Sequence, residues 1–245
     1  MLLEYLHPLW AHHPSVCALV TTRRGGVSRG AYADFNLGVH VGDDAGAVRE
    51  NRARLERISA PCFFVNQVHG ATVVEARAET RGVLPVADAL WTRQSNLAII
   101  VLTADCFPVM LASTDGTLVG LAHCGWRPLA AGVLSNLVSA MPARPSELCA
   151  WIGPGISASH YEVGDELIKT MQGLSPAGLL DGVFLTRHER IYADLERLIR
   201  NQLAHLGVAC APDVPPCTFS DDRFFSHRRD GPTTGRFASL VWIAS

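Results

Sequence analysis

The sequence predicts an α+β fold built on mixed β-sheets. Three observations lead there. Apolar runs of strand length outnumber helical patterns, and several of them are joined by hairpin signals. The helices also fail to alternate one-for-one with strands, as a βαβ relay would require.

Taken in order, CALVTT (17–22) reads as a strand. The glycine-rich stretch RRGGVSRGAYADFNLG (23–38) follows and argues for irregular backbone. Asp43–Ile58 reads as a helix, with an acidic start, basic later turns, and Val48, Leu55 and Ile58 at helical spacing. CFFVNQVHG (62–70) and ATVVEAR (71–77) read as two strands meeting at His69-Gly70. LAIIVL (97–102) is apolar throughout, as a strand covered on both faces would be. FPVMLAS (107–113) and TLVGLAH (117–123) are two more strands, separated by Thr114-Asp115-Gly116. Leu129–Met141 shows one apolar helical face, ELCAWIG (147–153) a strand, and Gly164–Met171 a helix. Gly173–Gly182 reads as a loop inside the domain. Tyr192–Leu206 reads as an amphipathic helix, its apolar face including Ala193, Leu195, Leu198 and Leu203, and FASLVWIA (237–244) as a closing strand. With no repeat, low-complexity tract or charge block to mark a linker, residues 1–245 are expected to form a single domain.

Composition narrows the function classes. Hydrophobic residues make up 48% and charged residues 18%, enough for a sizeable core. A net charge of −2 supplies no basic field for nucleic acid or an anionic membrane. The opening MLLEYLHPLW has neither a basic leader nor a long apolar run, so no signal peptide is expected. Leu97–Leu102 is too short to span a bilayer. Seven scattered cysteines, with no C-x-x-C pair, point to reduced thiols and a cytoplasmic setting.

The hairpin bears on chemistry. If Asp115-Gly116 is the loop, residues whose numbers sum to 231 face one another; if Thr114-Asp115 is, the sum is 229. Cys106 then faces either Gly125 or His123, and both registers put Cys106 and His123 on one side of the sheet. Cys124 should point the other way. A thiolate and an imidazole at neighbouring strand ends are two-thirds of a catalytic zinc site, which commonly uses three protein ligands and leaves one position open. His69, beside a glycine at another expected strand end, is the natural third. Two other readings stay open on spacing alone. Cys106 is then either a core cysteine with histidines capping strand ends, or a nucleophile with His123 as its base.

At NQVHG (66–70), TADCFPV (103–109), AHCGWR (122–127) and IGPGIS–YEVG (152–164) the chain resembles the YfiH family. Its members were once labelled multicopper polyphenol oxidases and are now described as purine nucleoside phosphorylases. TTRRGGVS (21–28), NLGVHVGDD (36–44), ENR (50–52), ADAL (87–90) and FFSHRRD…GR (224–236) also fit, so the resemblance covers almost the whole chain. It implies layered mixed sheets flanked by helices, similar to some toxin cysteine hydrolases. It implies zinc on His69, Cys106 and His123. The implied activity is phosphorolysis of adenosine, inosine and methylthioadenosine, with adenosine deamination as a second activity. Two departures stand out: Pro128 where a small residue is usual, and His227 where tyrosine is common.

The implied partners are purine nucleosides and phosphate, with no nucleic acid and no membrane, and a monomer is expected. Phosphate calls for arginines and backbone N–H groups. Arg23 is the preferred anion binder because Gly25 and Gly26 let backbone approach closely; Arg228, Arg229 and the Gly153-Pro154-Gly155 turn are further candidates. Asp105 is a candidate acid or base, although a regular strand would turn it away from the metal. Asn36 and His40 either reach substrate or fix their loop, and His12 and His13 read as surface residues. The alternatives are a copper-dependent polyphenol oxidase, a Cys–His hydrolase, and a partner protein with structural zinc. Copper binds such donors more tightly than zinc. No H-x-H pair occurs, however, although a multicopper cluster needs them.

Overall fold

The computed structural model describes residues 3–8, 13–174 and 178–245. In chain order the strands are β1 (Tyr5–Leu6), β2 (Val16–Thr21), β3 (Cys62–Phe63), β4 (Val73–Glu75), β5 (Ala89–Thr92), β6 (Ala98–Thr103), β7 (Phe107–Ser113), β8 (Val119–Cys124), β9 (Leu148–Ile152), β10 (Phe184–Arg187), β11 (Arg190–Ala193), β12 (Ala209–Cys210) and β13 (Phe237–Ile243). The helices are α1 (Ala45–Glu56), α2 (Trp126–Ala130), α3 (Val133–Ala140), α4 (Asp165–Gln172), α5 (Leu195–Leu206) and α6 (His227–Asp230).

Two mixed sheets form, ordered β1-β2-β13-β6-β3 and β12-β9-β7-β8-β5-β4, beside a β10-β11 ribbon. Residue parity explains the layering, because successive side chains of a strand leave opposite faces. From the first sheet Val20, Ile99, Val101 and Val241 meet Leu90, Met110, Val119 and Leu121 of the second in one buried cluster. The alternate residues Leu19, Ile100, Leu102 and Leu240 pack against Leu55 of α1. On the far side Val109, Leu111 and Ala122 pack against Leu134 and Leu137 of α3 and Leu198 and Ile199 of α5. The order is helix, sheet, sheet, helix. Every residue of β6 is buried because both faces of its sheet are covered, which accounts for the unbroken apolar run. Among the described residues no helix is long and apolar enough to cross a membrane.

Four expected elements differ. Only Cys62–Phe63 of 62–70 forms a strand; the chain then crosses irregularly toward the other sheet, tied to the 85–87 segment through Asn66. β3 and β4 therefore lie in different sheets and do not meet at His69-Gly70. The expected 129–141 helix is broken at Gly132, whose φ of 82° lies in the left-handed region, so α2 and α3 are separate. Tyr192 and Ala193 belong to β11, and Asp194 caps α5 by accepting from the Arg197 N–H. Within the Gly173–Gly182 loop, residues 175–177 lie outside the described residues, as does His12.

Candidate metal centre and cleft

The β7–β8 hairpin takes the 231 register, pairing Phe107 with Cys124 and Pro108 with His123. Cys106 immediately precedes β7 and continues that register toward Gly125. Cys124 turns to the helical side, fully buried, and burial pushes its thiol well up. His69, Cys106 and His123 do converge: one ligand atom from each lies within 4.8 Å of the others. The rings of His69 and His123 meet edge to face at 4.7 Å between centroids. Gly125 makes the convergence possible. A Cβ there would stand 2.7 Å from Cys106 Sγ and 3.5 Å from His69 Cδ2, inside the space between the donors.

Asp88 organises both histidines, and sequence reasoning assigned it no role. Its fully buried carboxylate accepts the backbone N–H groups of Val68 (3.2 Å), His69 (3.0 Å) and Gly70 (2.7 Å). It also sits 2.9 Å from His123 Nδ1. These contacts hold the loop in a form that gives His69 a φ of 59°, and leave His123 Nε2 for the cleft. Burial raises the Asp88 pKa, but the His123 contact and the N–H donors outweigh it, so the carboxyl lies below its ordinary value. The available signal was the acidic residue in ADAL, beside the strand that pairs with His123's own.

The donors are electrostatically coupled. Burial pushes the Cys106 thiol up, but His123 and His69 pull it down further, to about 6. Burial likewise lowers His123, while Cys106 and Asp88 raise it further, to about 9. A soft thiolate between two imidazoles is a donor set that suits zinc or copper. The spacing of the three atoms fits a single ion.

The three open onto a cavity of about 300 Å³, whose walls include His40, Gln67, Asp105, Tyr161, His227, Arg228 and Arg236. Asp105 borders the cavity from outside any regular strand. β7 starts only at Phe107, and Asp105 adopts a φ of 96°. Its carboxylate accepts the Thr218 hydroxyl (2.6 Å) and the Arg228 N–H (2.7 Å). Arg228 lies over the Tyr161 ring and donates to the Glu162 carbonyl. Arg236, which sequence reasoning missed, enters from just before β13.

Arg23 is not brought to this cavity. Its Nε donates to the Ala33 carbonyl, its guanidinium lies 3.6 Å from Asp230, and it covers the Phe225 ring. Asn36 is also a scaffold residue: fully buried, its Oδ1 accepts the N–H groups of Gly38 and Arg236. Arg229 is committed to carbonyls of the 218–224 segment and to Asp230. The N–H groups of Gly153 and Gly155 donate to Pro108 and Pro216 carbonyls, so that turn offers neither to an anion. Of the two departures from the family pattern, Pro128 is buried in α2 and His227 lines the cavity.

This arrangement has known counterparts. Residues 17–244 match the family described as multi-copper polyphenol oxidoreductase laccase. A Pseudomonas aeruginosa protein named purine nucleoside phosphorylase is 43% identical, covering 98% of each chain. The Escherichia coli purine nucleoside phosphorylase YfiH is 37% identical, over 96% of this chain and 97% of its own. This chain belongs to the YfiH family. A solved Neisseria meningitidis member superposes with a TM-score of 0.90 at 42% identity, covering 98% of this chain and 99% of its own. YlmD from Geobacillus stearothermophilus gives 0.84 at 30% identity, over 95% of this chain and 93% of its own. The layered mixed sheets expected from the resemblance are therefore the family architecture.

Proposed function

We propose that the cleft is the active site of a zinc-dependent purine nucleoside phosphorylase. One observation carries the reading: a convergent His69–Cys106–His123 donor set opens onto a cavity that also presents Arg228 and Arg236. The names of the bacterial relatives support the same activity. Adenosine, inosine and methylthioadenosine are the proposed nucleosides, with adenosine deamination as a second reaction.

His69, Cys106 and His123 would hold the metal, which when bound supplies Lewis-acid polarisation of a substrate oxygen or activation of water. The chain's own residues do the rest. Arg228 and Arg236 place cationic donors where a phosphate can sit, the requirement for attack at the ribose carbon. Asp105 holds the Arg228 backbone and so fixes where that arginine starts. Asp88 keeps the His123 ring aimed at the cleft. Tyr161 and His227 furnish ring surface on the cavity wall. Arg23 and Asn36 act on the scaffold, and the anion-binding role passes to the two cavity arginines.

The test is product analysis of adenosine turnover with and without phosphate, alongside metal analysis of protein purified without added metal. Base and ribose-1-phosphate should form only with phosphate, and inosine in either case. Phenol oxidation at an as-isolated copper centre, with neither purine product, would hand the site to the oxidase reading. Activity that survives complete metal removal would instead make Cys106 a nucleophile beside His123.

A further inference from the structure

A second thiol lies in an environment made for reactivity, in a place the proposed phosphorolysis does not use. Cys217 follows the 211–216 segment, and its backbone pairs with Gly155. The Ser157 hydroxyl donates to its Sγ at 3.1 Å, the Ser157 N–H points at it from 3.4 Å, and His160 Nδ1 lies 3.6 Å away. The His160 ring is fixed by stacking on Phe219, 4.5 Å between centroids and 20° from parallel. Its Nδ1 also lies 3.3 Å from the Ser157 hydroxyl. The Ser157 hydroxyl and N–H thus donate to a sulfur that is only partly buried, with His160 Nδ1 beside it.

The remaining cysteines make the contrast. Cys17, Cys149 and Cys210 are also partly buried, and burial raises the thiol pKa of each. Burial acts on Cys217 too, but the hydrogen bonds from Ser157 and Ser220 outweigh it and bring it to about 6. Cys62 and Cys124 are buried and raised. Charged neighbours of Cys217 act at one remove. Thr218 donates to Asp105, Arg228 and Arg229 donate to the His160 and Thr218 carbonyls, and the Asp221 N–H donates to the Cys217 carbonyl.

We propose that Cys217 and His160 form a second reactive centre, a donor-stabilised thiolate that hydroperoxides oxidise to sulfenic acid. The thiolate sulfur attacks the outer oxygen of the hydroperoxide. An S–O bond forms as the O–O bond breaks, the hydroxyl stays on sulfur, and the departing alkoxide takes a proton from solvent. Sulfur is oxidised by two electrons and the peroxide is reduced to an alcohol or water. The centre lies beside the cleft, one residue from Thr218, but shares no ligand with the proposed metal site.

The experiment uses the protein as purified, with its metal. Limited iodoacetamide alkylation is followed by peptide-resolved mass spectrometry between about pH 5 and pH 9, so that each cysteine is read separately. The midpoint of the pH profile is the decisive quantity, because the intrinsic nucleophilicity of a thiolate falls with its pKa and compresses rate differences. Cys217 should reach half its limiting rate near pH 6, while Cys149 and Cys210 rise only above about pH 8. Ser157→Ala and His160→Asn should each leave Cys217 in place and move that midpoint upward, Ser157→Ala by about one unit or more. After a stoichiometric hydrogen peroxide pulse, dimedone should tag the Cys217 peptide ahead of Cys17, Cys149 and Cys210. A Cys217 midpoint above pH 8, or dimedone tagging no faster than at those three, overturns the proposal. Both readouts are independent of purine turnover, so failure here and failure of the phosphorylase reading are distinguishable.

Discussion

Cys106 and His123 reach the cleft at one end of the hydrogen-bonded β7–β8 hairpin, whereas His69 and Arg236 reach it on loops and Arg228 on the short helix α6. The strand pair is positioned by ladder register: Pro108 opposite His123 is set by backbone hydrogen bonds running down to the Asp115-Gly116 turn. The loop ligand is positioned by one carboxylate. Asp88 gathers three consecutive N–H groups around His69 and holds His123 at the same time, so it ties the two kinds of support together. Strand-borne residues depend on the sheet as a whole; loop-borne residues depend on a few named contacts and can be displaced one at a time.

The largest effect should come from the strand pair itself. Cys106→Ser or His123→Ala is expected to take the protein from about one zinc per chain to essentially none, with loss of purine turnover. Metal content measured on the purified variants decides this. Retention of stoichiometric metal in both would remove the site.

Asp88→Asn sharpens the comparison, since it leaves all three proposed ligands in place. It should weaken metal affinity by about 10–100-fold, the usual consequence of losing a carboxylate behind a ligating histidine. Competition against a chelator of known affinity is the readout, and unchanged affinity would mean that the ladder alone positions His123. Gly125→Ala attacks the same geometry from the other side. Its Cβ would press on Cys106 Sγ, so metal affinity should fall while the fold survives, as judged by an unchanged circular dichroism spectrum.

This division also explains what could be read from the chain alone. Apolar periodicity located β6, β7, β8, β9 and β13 because each is a run whose neighbours lie close in sequence or whose two faces are both buried. The turn at Asp115-Gly116 carried the hairpin, and with it two of the three proposed ligands. His69 was found for its place beside a glycine, but the reason it sits there lies 19 residues away in Asp88. Tyr192 and Ala193 fit the apolar face of α5, yet strand pairing with Leu185 and Phe184 claims them, and Asp194 was the unread capping signal. Arg236 closes the FFSHRRD…GR motif, but nothing in the spacing assigns it a role, because its place in the cavity depends on Asn36, 200 residues earlier.

Among the arginines the difference becomes a kinetic one. Arg228→Ala should raise the KM for phosphate by about 10-fold or more, since a charge-assisted hydrogen bond contributes roughly 1.5–3 kcal/mol. Its effect on the KM for nucleoside should be smaller. Steady-state kinetics with each substrate varied in turn provide the check. Equal increases in both would show that Arg228 shapes the cavity rather than holding the anion.

Arg23→Ala should produce the smallest change in catalysis, and it tests the loop comparison most directly. Sequence reasoning favoured Arg23 for phosphate because two glycines follow it. In the fold its guanidinium spans the Ala33 carbonyl, Asp230 and the Phe225 ring, joining the N-terminal loop to the 225–230 segment that carries Arg228. Burial lowers its pKa from the ordinary arginine value, partly offset by Asp230. The ion pair is about a quarter exposed on each side, so solvent screening keeps its contribution near 1 kcal/mol. Stacking on Phe225 adds about 0.5–1 kcal/mol. The expected outcome is therefore a melting temperature lower by a few degrees, with phosphate KM within about twofold of wild type. A large rise in phosphate KM at unchanged melting temperature would return the anion to Arg23 and leave Arg228 as the residue that holds the loop.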